Sequence, residues 1–282
     1  MSFPATITPI RLSRRGGRLW PVMFKSPTLN ARANVLVYTP PGVGPNDDAL
    51  AHLPVLYLLH GMWGSELDWA FKGNAQAILD REILAGRVRP MIVAIPNDGL
   101  HDDGTFYSNW HHNGPRFEDY VLGDVRRFVE VETLGRLRPR RRRLVAGNSM
   151  GGFGALTLAL RHPTLFAAAA SLSGAVRPIG SPRRRTLGVE IFGPLSPVRA
   201  SYRRQRDPHM LIEDRGRTGR LGLYLDCGRG DFLLPMNRKF HAKLLRLNVV
   251  HTYGEYAGDH SWPCWQKRLP HALRFLSGQL AD

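Results

Sequence analysis

The residues with the clearest chemical potential lie in Leu144-Val145-Ala146-Gly147-Asn148-Ser149-Met150-Gly151-Gly152, where Ser149 stands at the centre of a G-x-S-x-G pattern. A serine hydroxyl is a weak nucleophile until a base stands beside it and the backbone presents it on a tight, strained turn. Arg143 to Ala146 reads as a strand, and Gly154 to Arg161 as a helix stopped by His162-Pro163. The pattern therefore sits where a strand turns into a helix. Small residues are needed two positions before and after the serine, and Gly147 and Gly151 supply them. The turn also sets the hydroxyl at a helix N-terminus, where the peptide dipole favours negative charge. Ser149 is the candidate nucleophile.

A nucleophilic serine needs a base, and eleven histidines compete for the role. His260 lies in Ala257-Gly258-Asp259-His260-Ser261-Trp262, between the last strand candidate (Val249 to Tyr253) and the final helix, so it can swing over the end of the nucleophile's strand. His241 falls inside a helix and His251 inside a strand, while His111 and His112 occupy a mid-chain loop and stand in reserve. The base in turn needs a carboxylate on its other ring nitrogen to fix the tautomer and support the imidazolium. Asp226, Asp231 and Asp259 are the candidates. Leu221 to Asp226 reads as the strand and Cys227-Gly228-Arg229-Gly230 as its turn, which leaves Asp231 on the loop at the strand's C-terminal end. Asp226 is still within the strand, and Asp259 adjoins His260 too closely for easy geometry. Asp231 is the candidate acid, with capping of the turn as its competing role.

Acyl transfer also needs two backbone N–H groups aimed at the developing oxyanion, each worth about 2.7 to 4 kcal/mol. The residue after the nucleophile, Met150, is one expected donor. Met62, in His60-Gly61-Met62-Trp63-Gly64 after the strand Pro54 to Leu59, is the other. Trp63 and Trp69 are candidates for the wall of an acyl pocket, with packing in the core as the alternative for both.

The elements needed to position these groups are legible as short apolar runs bounded by turn signals and alternating with segments of helical period. Strands are expected at Asn34 to Tyr38, Pro54 to Leu59, Met91 to Ile95, Arg143 to Ala146, Ala167 to Leu172, Leu221 to Asp226 and Val249 to Tyr253. Helices are expected at Phe117 to Thr133, Gly154 to Arg161, Asn237 to Leu247 and Pro263 to Leu276, the last with Pro270 inside it as a kink. The pattern is that of a mostly parallel α/β sheet flanked by helices. Residues 1–282 read as one domain, with Val176 to Arg220, rich in Pro, Gly and Arg, as an excursion serving as a lid or cap.

Composition narrows the class further. The chain is 43% hydrophobic and 22% charged, which suits a folded protein with a sizeable core. Its formal charge of +16 would ordinarily suggest nucleic acid. Five lysines stand against 34 arginines, however, and the arginines are spread along the chain apart from Arg138 to Arg143 and Arg183 to Arg185. No nucleic-acid reading motif accompanies them, so a nucleic-acid partner is not expected. The basic N-terminal segment lacks the apolar run of a secretory signal, and Leu165 to Val176 is too short to span a bilayer. Cys227 and Cys264 have no zinc-type spacing and allow at most one bridge. A chain starting at its mature N-terminus, in a reducing cytoplasm, is the expectation.

These segments together resemble the esterase D family of α/β-hydrolases, which includes tributyrin-type esterases, feruloyl esterases, S-formylglutathione hydrolases and the antigen 85 mycolyltransferases. The resemblance is carried by Tyr57-Leu58-Leu59-His60-Gly61-Met62, Phe106-Tyr107-Ser108-Asn109-Trp110, Gly147 to Gly152, Cys227-Gly228-Arg229-Gly230-Asp231 and His260-Ser261-Trp262. It implies a triad of Ser149, Asp231 and His260 and oxyanion donors after Gly61 and after Ser149, as read above. S-formylglutathione hydrolases usually carry S-G-L-T-C where this chain has His60 to Gly64, so the resemblance runs toward the tributyrin-type esterases. The expected activity is hydrolysis of short-chain acyl esters of small molecules through an acyl-enzyme, without metal or cofactor. An acyltransferase or thioesterase using the same triad is the alternative.

Overall fold

The computed structural model describes residues 10, 16–44, 47–98, 104–111, 113–135, 137–176, 185–193, 200–214 and 221–280. Its frame is an eight-stranded sheet formed by β1 (Arg18–Ser26), β2 (Ala31–Thr39), β3 (Val55–Leu59), β4 (Ile92–Pro96), β5 (Arg143–Asn148), β6 (Ala168–Leu172), β7 (Gly222–Gly228) and β8 (Thr252–Tyr256). The order across the sheet is β1-β2-β4-β3-β5-β6-β7-β8. β2 is antiparallel to both neighbours, and every other pairing is parallel. The mostly parallel sheet expected from the sequence is present. β3, β4, β5 and β6 are buried along their whole length, which is why they read as unbroken apolar runs.

Helices cover both faces. On one lie α1 (Asp68–Phe71), α2 (Ala75–Leu84) and α9 (Trp262–Gly278), whose Trp69, Ile78, Leu79, Leu269 and Leu273 share a core with Leu56, Leu144 and Leu172. On the other lie a helical run beginning with α3 (Phe117–Asp119), then α4 (Met150–Arg161), α7 (Pro208–Asp214) and α8 (Leu234–Arg246), sharing a core with Tyr57, Val145 and Leu225. Between α4 and α7 the chain forms α5 (Arg185–Phe192) and α6 (Ala200–Arg204).

Three departures from the sequence reading are informative. β1 was not expected, because Pro21 and the basic residues around it disguise an edge strand in which Leu19, Trp20 and Val22 are buried. β8 begins later than read, at Thr252, so His251 precedes the strand instead of lying in it. Val250 is 90% exposed and lies in the irregular segment before the strand. The helix expected at Phe117 to Thr133 winds mostly with the wider π-type repeat, over Tyr120–Val125 and Arg127–Thr133.

Candidate active site

Parallel pairing brings the carboxyl ends of β3, β5, β7 and β8 to one edge of the sheet, and the proposed site residues stand on the loops leaving those ends or in the helices that follow, Met150 opening α4 and Trp69 lying in α1. Ser149 follows β5 directly with φ 54° and ψ −116°, a strained conformation for a residue with a side chain. The flanking glycines are obligatory. A methyl group on Gly147 would fall 2.5 Å from the Gly151 carbonyl, and one on Gly151 would fall 2.4 Å from the Leu59 carbonyl oxygen.

Ser149 Oγ lies 2.9 Å from His260 Nε2, and His260 Nδ1 lies 2.8 Å from Asp231 Oδ2. With the carboxylate accepting from Nδ1–H, Nε2 is left as the acceptor of the serine hydroxyl. The loops that carry the acid and the base are tied by backbone bonds, Arg229 N–H to Tyr256 O at 2.7 Å and Gly230 N–H to Gly258 O at 2.8 Å. Asp231 is buried. Burial alone would raise its pKa, but hydrogen bonds from His260 and from the Leu233 N–H outweigh that, and the carboxyl is held below the usual range. The base is held by rings on two sides, Phe232 at 4.6 Å and Trp265, edge-on, at 4.9 Å.

The competing acids have other work. Asp226 accepts from the Tyr224 hydroxyl at 2.7 Å and from Arg268 Nε at 3.1 Å, facing α9. Asp259 accepts from Ser261 Oγ and Cys264 Sγ and shapes its own loop. Among the reserve bases, His111 packs its ring against Tyr202, and His112 lies outside the described residues.

The oxyanion loop is braced from beneath. Trp69 Nε1 donates to Leu59 O at 2.9 Å, the Tyr107 hydroxyl to His60 O at 3.1 Å, and His60 Nδ1 lies 2.8 Å from Gly61 O. Phe106 and Tyr107 reach that position through consecutive left-handed conformations, φ 52° and 51°. Met62 and Met150 both line the cavity in which Ser149 and His260 lie, and their side chains converge under Gly104.

That cavity, of about 700 Å³, has a mainly apolar wall that includes Phe106, Phe232, Met236 and Trp262. Trp63 lines it and is 71% exposed at the mouth. Trp69 does not line it, a correction to the sequence reading. It is wholly buried, spends its indole N–H on Leu59, and stands edge-on at 5.2 Å to Trp262, which forms the wall in its place. Trp262 stands in the motif His260-Ser261-Trp262, and Trp265 follows one helical turn later, a spacing that could have flagged both. Nothing in the sequence marks Lys72, which also lines the cavity and whose ammonium pairs with Asp68 at 3.1 Å. No described residue of Val176 to Arg220 lines the cavity, and α7 packs on α4 and α8 instead. Residues 177–184, 194–199 and 215–220 of that excursion lie outside the described set. Both cysteines are free, and among the described residues no cluster of three metal-ligating side chains occurs.

The family model described as "Putative esterase" matches residues 26–276. An acetyl esterase of Caldicellulosiruptor saccharolyticus is 26% identical over 240 residues, covering 80% of this chain and 84% of that protein. An endo-1,4-beta-xylanase/feruloyl esterase of Xylanibacter ruminicola is 31% identical over 159 residues, 56% of this chain but 22% of that longer protein. Among solved structures, a ferulic acid esterase is similar with a TM-score of 0.80 and 25% identity, over 95% of this chain and 100% of the other.

Proposed function

The chain belongs to this esterase family and is a serine carboxylic-ester hydrolase of the α/β-hydrolase fold, and on that premise we propose that Ser149, His260 and Asp231 are its catalytic triad. The carrying observation is the continuous chain of contacts from Ser149 Oγ through both ring nitrogens of His260 to a buried carboxylate. In this reading Ser149 Oγ attacks the ester carbonyl while His260 Nε2 takes its proton. The oxyanion is met by the N–H groups of Met62 and Met150. His260 then returns the proton to the leaving alcohol, and the acyl-enzyme forms. Water repeats the sequence, releasing the acid and free Ser149.

The substrate class we assign is small-molecule esters of short acyl chains. Support comes from an apolar cavity large enough to take both halves of such an ester, with Ser149 on its wall. We read the chain as one catalytic domain and assign it to a reducing, cytoplasmic setting. The single sheet that connects all the site loops supports the first, and the free Cys227 and Cys264 support the second. No helix among the described residues is long and apolar enough to cross a membrane.

The test combines labelling and turnover. A fluorophosphonate should label Ser149 covalently, Ser149→Ala should lose nearly all hydrolysis, and p-nitrophenyl esters should be cleaved fastest at the short end of an acyl series. A label mapping to another serine, or an active alanine variant, would overturn the triad. A rate that climbs steadily toward long chains would overturn the substrate class.

A further inference from the structure

Asn148 ends β5 and immediately precedes Ser149, and nothing in the mechanism above uses its side chain. The residue is 1% exposed and lines the cavity, yet neither Nδ2 nor Oδ1 finds a hydrogen-bond partner among the described residues. Buried amides are paired as a rule, and each exception calls for a reason. Here the surroundings supply one. A methyl group on Gly61 would fall 3.2 Å from Asn148 Nδ2 and 3.5 Å from Ser149 Cβ, so the amide packs directly against the backbone of the oxyanion loop. That loop is otherwise well held: Leu59 O, His60 O and Gly61 O accept from Trp69 Nε1, from the Tyr107 hydroxyl and from the Gly64 N–H respectively. An amide with both donor and acceptor unused therefore lies against a loop whose carbonyls are already engaged.

This arrangement costs stability, because an apolar residue of the same shape would fill the space without burying unpaired polar atoms. A group that weakens the resting state while touching the donor loop has the character of one whose bonds form only as the reaction proceeds. Interactions of that kind raise turnover without tightening substrate binding. We propose that Asn148 is a positioning residue of the oxyanion hole. Its amide oxygen accepts from the backbone of the Gly61–Met62 segment as the tetrahedral intermediate forms, and so aims the Met62 N–H. The inference rests on the triad reading above.

The near-isosteric Asn148→Leu separates this role from simple packing. Expected is a melting temperature equal to or above that of the wild type, with kcat lowered roughly 10- to 100-fold and KM nearly unchanged. Affinity for a boronic-acid transition-state analogue should fall by the same factor as kcat, while binding of the product acid should not. Asn148→Ser, which keeps a donor and an acceptor, should recover part of the loss. It also serves as the variant to be read if leucine does not fold. Unchanged kcat in the leucine variant overturns the proposal, and so does a kcat loss that tracks a lowered melting temperature. Equal weakening of analogue and product acid would assign Asn148 to substrate contact and overturn it as well. Fluorophosphonate labelling of the wild type at Ser149, run in parallel, distinguishes failure of this inference from failure of the triad.

Discussion

At the residue scale, three aspartates within reach of His260 in sequence are separated by their partners. Asp231 meets His260 Nδ1 and is itself fixed by the Leu233 N–H at 2.8 Å, so its oxygens are already aimed. Asp231→Asn should keep the fold and lose turnover by up to roughly 10⁴, because the imidazole adopts the wrong tautomer and its cation is unsupported. Asp259→Asn should lose far less, since its carboxylate serves Ser261 and Cys264. Steady-state kinetics per folded molecule, with circular dichroism as the control, decide between them. If the Asp231 variant retains most of its turnover while another aspartate variant collapses with its fold intact, the acid is misassigned. That Ser149, His260 and Asp231 come together was legible in the sequence, because chain order, glycine spacing and position beyond strand ends are one-dimensional signals. The cavity wall was not. Whether Trp69 or Trp262 faces substrate depends on which indole N–H finds a buried carbonyl, and that is settled only when α1 meets α9.

At the scale of elements, β7 and α9 meet through a buried acid with a sign of its own in the pH dependence of stability. Burial, the dominant cause, raises Asp226 from its ordinary value to about 6, although the Tyr224 hydroxyl and Arg268 pull it back down. The folded protein therefore holds this proton at pH values where the unfolded chain has released it. The linked stability is fully present below the ordinary carboxyl value and is lost as pH rises through about 6. Asparagine cannot ionise, so the difference in melting temperature between Asp226→Asn and the wild type should move in the variant's favour as pH is raised from about 4.5 to about 8. A difference that stays constant across that range would contradict the assignment. Central strands such as β5 and β6 could be read because both faces are buried, whereas of the edge strands β1 was missed and β8 was read with the wrong start. β8 has no buried residue, and its Glu255 is bound by Arg238 on α8. A sequence pattern built on burial therefore misplaced its start.

At the scale of the whole molecule, the formal charge of +16 is the feature most open to misreading. A nucleic-acid surface needs cations gathered on one face with their charge available to phosphate. Here many arginines are engaged by carboxylates on separate elements. Arg143 meets Glu130 in the core, Arg161 meets Glu118 beside α4, Arg238 meets Glu255 at the sheet edge, and Arg274 and Arg87 share Glu82 at the opposite face. In the sequence the arginines are spread along the chain apart from Arg138 to Arg143 and Arg183 to Arg185, and charge spread in this way gives solubility and a weak general attraction for polyanions without a register for binding. Fluorescence anisotropy with labelled duplex DNA and single-stranded RNA should accordingly detect only weak association at roughly 50 mM salt, vanishing by roughly 200 mM. Contacts that depend on counterion release alone lose about 10³- to 10⁵-fold in affinity across that interval when six to ten phosphates are involved. Binding that stays tight at the higher salt, or that discriminates between sequences, would require a localised site. The dispersed-charge reading would then have to be abandoned, while the ester chemistry at Ser149 would be untouched, because its test uses neither polyanion nor salt.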